Sequence, residues 1–146
     1  MKYASIGSIS HGTLRTEDLL ATFASELDTL VKRNYDAFDK PVIFKFAAMI
    51  GAAETMTDDH DSADELVIEL QDALNEFAPP YCYFGNTEGD GSDFGFWPSM
   101  DQIDELPKIS DPNEVENHLG EPCCFVNDHG NITVYGADGR VLLDIV

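Results

Sequence analysis

Apolar residues recur every three or four positions through the first half of the chain and alternate after Pro80, so helices are predicted to precede strands. Leu19, Leu20, Phe23, Ala24, Leu27, Leu30 and Val31 line one face of a first helix. Thr16 is its expected N-cap, Glu17 and Asp18 suit the positive end of its dipole, and Lys32, Arg33 and Asn34 close it. In the segment from Asp36 to Met56, Asp39 and an early Pro41 read as a helix start, and Ala47, Ala48, Ala52 and Ala53 favour helix over the competing strand reading of Val42, Ile43, Phe44 and Phe46. A buried second helix is expected, with Gly51 allowing a neighbour to approach closely.

A third helix is expected from about Asp58 to Phe77. Ala63, Leu66, Val67, Leu70, Ala73, Leu74 and Phe77 form its apolar face, and Asp61, Glu65, Glu69, Asp72 and Glu76 form an acidic stripe at steps of three or four. Asp58 and Asp59 favour its positive end, and Pro79-Pro80 stops it. Beyond that point, Tyr81–Phe84 and Phe94–Trp97 flank a turn rich in Gly, Asn and Asp and read as a hairpin with a loop of several residues. Residues 98–121 hold at most one short helix. Residues 123–126, 131–135 and 140–145 form a meander joined by Asn127-Asp128-His129-Gly130 and Gly136-Ala137-Asp138-Gly139. The resulting expectation is a single acidic α+β domain spanning 1–146, with three N-terminal helices packed on an antiparallel sheet of about five strands.

Charge changes this picture more than composition does. Of the 146 residues, 43% are hydrophobic and 10% aromatic, which fits a folded body despite a net charge of −20. Residues 1–50 carry six acidic against six basic residues, whereas 51–121 carry nineteen against one, Lys108. Such a field disfavours direct binding to nucleic acid and favours a basic partner. No apolar run is long enough for a membrane span or a secretion signal, and Cys82, Cys123 and Cys124 lack zinc spacing, so a cytoplasmic protein with reduced thiols and no membrane partner is expected.

Catalytic chemistry finds little support. His11 lies near Ser8 and Ser10 but is adjacent to Gly12 and reads as a turn residue, and Cys82 has no basic neighbour to activate it. His60, His118 and His129 stand apart, without metal-ligand spacing. The stretch Asn86–Asp93 resembles the front half of a calcium loop, but its twelfth position is Trp97, where a bidentate Glu belongs. The stretch from Gly85 to Gly95 holds Gly85, Gly89, Gly91 and Gly95 but no following Lys, and its three carboxylates repel phosphate. No cofactor and no metal are expected.

The segments Ser10-His11-Gly12-Thr13-Leu14-Arg15-Thr16-Glu17-Asp18-Leu19, Tyr83-Phe84-Gly85, Gly89-Asp90-Gly91 and Asp93-Phe94-Gly95-Phe96-Trp97-Pro98 resemble those of small uncharacterised acidic proteins of bacterial plasmids, phages and mobile islands. In charge and size the chain is also similar to antirestriction and anti-CRISPR proteins that imitate DNA. That resemblance implies a non-enzymatic protein that occupies the basic groove of a nucleic-acid-binding partner. The candidate contact residues are Asp58, Asp59, Asp61, Glu65, Glu69, Asp72 and Glu76, with Glu88, Asp90, Asp93, Asp101, Asp104 and Glu105. From Asp61 to Glu76 a helix spans about 22 Å, one carboxylate per about 5.5 Å. A DNA strand carries one charge per about 3.4 Å, so a second acidic tract, 88–121, is needed alongside. Two rival readings are an adaptor or homo-oligomer using the aromatic hairpin 81–97, and a small enzyme built around His11 or Cys82.

Because Glu88, Asp90 and Asp93 lack the closing bidentate ligand, calcium is expected to bind no tighter than about millimolar. Calorimetric titration checks this, and micromolar affinity would make the loop a functional site.

Overall fold

In the computed structural model, which describes residues 1–56 and 60–145, helix α1 (Thr16–Arg33) buries the whole apolar stripe from Leu19 to Val31. Its start differs from expectation. Thr16 is the first helical residue, and Arg15 takes the cap position without a side-chain bond. Thr13 organises the entry instead: its hydroxyl donates to Asp18 Oδ2 (2.8 Å) and accepts from the Arg15 amide (3.2 Å). The other end is fixed by Asn34, a buried polar residue whose Nδ2 donates to the carbonyls of Leu30 (2.9 Å) and Lys2 (2.8 Å). Each donor of this buried amide is thereby satisfied, and the N-terminal segment is clipped to the helix.

Helix α2 (Lys40–Thr55) begins after Asp39, with Pro41 in its first turn as the sequence suggests. It is not a buried helix. Only Ile43 and Phe46 are buried, and Phe44 is 69% exposed. Gly51 faces open space, with nothing within 4 Å of a Cβ built there, so it marks no close approach. Helix α3 (His60–Asn75) buries Ala63, Leu66, Leu70, Ala73 and Leu74. Asp58 and Asp59 lie outside the described residues. The amides of Glu76 and Phe77 bond back to Ala73 and Leu74, which ends the helix in a turn just short of the expected limit. Helices α2 and α3 both pack on α1.

Strand β1 (Gly7–Ser10), which periodicity does not reveal, pairs antiparallel with β3 (Asp90–Pro98), and β2 (Cys82–Thr87) lies on the other side of β3. The hairpin turn is tighter than expected, since only Glu88 and Gly89 separate β2 from β3. Two groups of aromatic rings pack in the core of this unit, the first tying the sheet to α1 and the second joining α2 to the segments before α2 and after α3. Phe23 of α1 meets Phe84 and Phe94 edge-on at centroid distances of 5.1 and 5.3 Å, and Phe84 meets Phe96 at 4.9 Å. Phe38, Phe46 and Phe77 form the second group, at 5.4–5.7 Å. Asn75 accepts the Phe84 amide (2.8 Å), joining the end of α3 to β2.

The backbone gathers into two compact units, Met1–Trp97 and Pro98–Val146. The second unit contains α4 (Met100–Asp104), a 3-10 turn (Pro112–His118) capped by Asp111, and a sheet ordered β4 (Lys108–Ile109), β5 (Cys123–Val126), β6 (Ile132–Tyr135), β7 (Val141–Ile145). The meander β5–β7 is antiparallel as expected, but β4 pairs with β5 in parallel. The α+β class therefore holds, while the single antiparallel sheet of about five strands is replaced by sheets of three and four strands. A two-residue strand carries no alternation to read, and alternation in longer strands does not say which partner each will pair with.

The contact of β1 with β3 depends on Gly95, because a Cβ there would lie 2.2 Å from the Gly7 carbonyl oxygen. Gly95→Ala is expected to force the strands apart and to destabilise the protein by about 1–3 kcal/mol, the cost of an overpacked site. Urea unfolding measures this. Gly91→Ala, at an open position, serves as the control.

Candidate acidic interface

The apolar face of α3 turns inward, so its acidic residues are forced out. Asp61, Glu65, Glu69, Asp72 and Glu76 are all exposed. At 3.6 residues per turn Asp61, Glu65, Glu69 and Asp72 occupy an arc of about 80° displaced from the buried face, and Glu76 follows in the turn that closes the helix. None of them enters an ion pair among the described residues, where the pairs present are Arg15–Glu17, Lys32–Asp28 and Arg140–Asp138. The reason lies in the chain: no Lys or Arg occurs between Lys45 and Lys108. Asp64, outside the arc, accepts the hydroxyl of Thr16 (2.8 Å), which the sequence assigned to capping α1. The bond fastens α3 to the first turn of α1.

The remaining candidate residues are not equivalent. Asp90 accepts both the amide and the hydroxyl of Ser92 (2.9 and 2.8 Å), and these bonds hold its carboxyl below the usual range, with a smaller contribution from His11. Asp93, half-buried, accepts the Ser8 hydroxyl across β1 and β3, so Ser8 is not engaged by His11. Glu88 is exposed at the hairpin turn. Asp101, Asp104 and Glu105 are exposed in the second unit, on and just after α4. No three His, Cys, Asp or Glu side chains converge as metal ligands among the described residues.

Two features went unread in the sequence. Ile68, exposed between Asp64, Glu65 and Asp72 on the surface of α3, places an apolar side chain among the carboxylates. Beside the acidic arc, a groove of about 490 Å³ runs between α2 and α3, with Phe46, Met49, Ala52, Leu66 and Ala73 along its floor. Glu69, Asp72 and Glu76 form one wall and Lys45 stands on the other. The four alanines of α2 were the available signal, but they equally suit a buried helix.

The aromatic hairpin offers less surface than alternation suggests. Phe84, Phe94 and Phe96 are buried, and half-buried Trp97 donates its ring N–H to the Gly85 carbonyl (3.0 Å). Tyr81 and Tyr83 are likewise half-buried. The three thiols are free and buried. No helix among the described residues is long and apolar enough to cross a membrane. No family model, curated protein or solved structure matches the chain, so the surface is read from its own chemistry.

Burial pushes the Cys82 thiol up from 9.0 to about 11 and raises Cys123 and Cys124 as well. The folded state therefore retains protons that the unfolded chain releases. The associated stability is complete below about pH 9 and is lost as the pH rises through about 11. The urea midpoint is expected to decline across this window, less steeply in Cys82→Ala. A parent and variant with the same pH profile would show that Cys82 does not carry the effect.

Proposed function

We propose that the acidic face of α3 occupies the basic nucleic-acid-binding groove of another protein, as a DNA-mimic inhibitor of a defence system such as restriction or CRISPR does. The observation that carries the reading is the array of five exposed carboxylates without an ion-pair partner among the described residues, along a helix held by its buried face and the turn that closes it. A solvated face needs no such uniform sign. Unneutralised charges concentrated on one surface raise the local potential and steer a cationic partner into contact.

The same array disfavours nucleic acid itself as ligand and assigns no role to a reacting group, so the activity proposed is occupancy of a site rather than catalysis. In this reading Glu88, exposed at the hairpin turn of the same unit, adds to the array. Asp90 and Asp93 contribute less, because each already accepts a hydrogen bond from a serine.

Replacing Glu65, Glu69, Asp72 and Glu76 with Gln or Asn tests the proposal. Capture of partners from the host extract at low and high salt, followed by titration of the purified partner, is expected to show affinity falling by about a hundredfold or more at low salt. The parent complex weakens steeply with salt, as surfaces screened over about 8–10 Å must, and DNA competes for the partner. Removal of like-charge neighbours stabilises α3 by about 0.2–0.5 kcal/mol per pair, so affinity and stability move in opposite directions. A neutralised variant that binds like the parent at every salt concentration rejects the proposal.

A further inference from the structure

A surface that imitates phosphate alone needs no apolar floor. The groove between α2 and α3 nevertheless has one, bordering the acidic arc through Glu69, Asp72 and Glu76. Its volume of about 490 Å³ lies in the range of ligand-binding clefts. From Leu66 to Glu76 its α3 wall runs for about 15 Å, close to three turns of a docked helix. The walls differ in sign, with three carboxylates on α3 and its closing turn and Lys45 on α2.

We propose that this groove seats a cationic amphipathic helix of the partner, its apolar stripe on Ala48, Met49 and Ala52 and its Lys or Arg side chains against Glu69, Asp72 and Glu76. Charge complementarity selects this occupant. A second copy of the chain brings a net charge of −20 and the same acidic wall, so it is repelled. An uncharged apolar segment leaves three carboxylates bordering a desolvated contact without a counter-charge. Helix-in-groove recognition joins an apolar anchor to a charged rim, and the anchor supplies discrimination among basic proteins that charge alone lacks. The inference rests on the reading of α3 as the binding face and adds the chemistry of what meets it.

The test uses the whole protein and two synthetic peptides of about four helical turns, made only of Leu and Lys in equal composition. One has leucines at helical spacing and the other has the two residues in strict alternation. Fluorescence anisotropy is expected to show the helically patterned peptide binding at least about tenfold tighter. Met49→Ala is expected to weaken it about fivefold or more, and Ala48→Lys, at an exposed position that leaves the core untouched, more strongly. Equal binding of the two peptides, or affinity indifferent to Ala48→Lys, overturns the groove assignment. So does a dimer in light scattering that Ala48→Lys abolishes, which gives the groove to a second copy. The proposal of the preceding subsection fails separately. If a captured partner is lost on neutralising α3 but retained by Met49→Ala and Ala48→Lys, the acidic face stands and the groove does not. If the peptide results hold while DNA competes with no partner, the groove stands and mimicry does not.

Discussion

The first unit depends on the edge-on contacts of Phe23 with Phe84 and Phe94. Phe23 is fully buried, and it is the point at which a helix from the start of the chain meets the sheet from its middle. Edge-to-face pairs add about 0.5–1.5 kcal/mol each beyond area burial, and they fix the rings in direction as well as distance. With the hairpin held against α1 in this way, α3 is confined between α1 and β2, and its polar residues have one side left to face. The acidic surface is thus a consequence of where the phenylalanines go.

The parts of the fold that were legible in the sequence are those in which one local pattern decides the outcome. Helix α1 has an apolar stripe of uniform width, and β5–β7 alternate between turns of strong chemistry, such as Asn127, whose side chain accepts the amides of His129 and Asn131. Helix α2 defeats the same approach because apolar residues surround it; such a helix reads as buried, yet Phe44, Ala47 and Ala48 face solvent. The two sheets were not legible either. Whether β1 joins the hairpin turns on Gly95 admitting the Gly7 carbonyl, and no periodicity reports that contact.

The candidate surface divides along the same line. The acidic stripe from Asp61 to Glu76 follows from helical spacing alone, and the structure leaves all five carboxylates exposed, four on α3 and Glu76 in the turn after it. The groove beside them belongs to two helices at once, and Phe46 and Leu66 line it together because α2 and α3 both pack on α1. Hydrogen bonding by Asp93 was equally hidden, since its partner Ser8 comes from the opposite strand. Pattern therefore gave the charges, and packing distinguished the free ones from those already engaged.

Two hydrogen bonds described above act near opposite ends of α3: Thr16 to Asp64 close to its start, and the Phe84 amide to Asn75 at its last residue. Together with the buried face they fix the azimuth of the helix, so the carboxylate array cannot roll about its own axis. An incoming partner therefore meets charges whose backbone positions are already set. The ordering cost of association then falls on the side-chain torsions alone, which is the advantage of a preorganised surface over an acidic tail of the same charge.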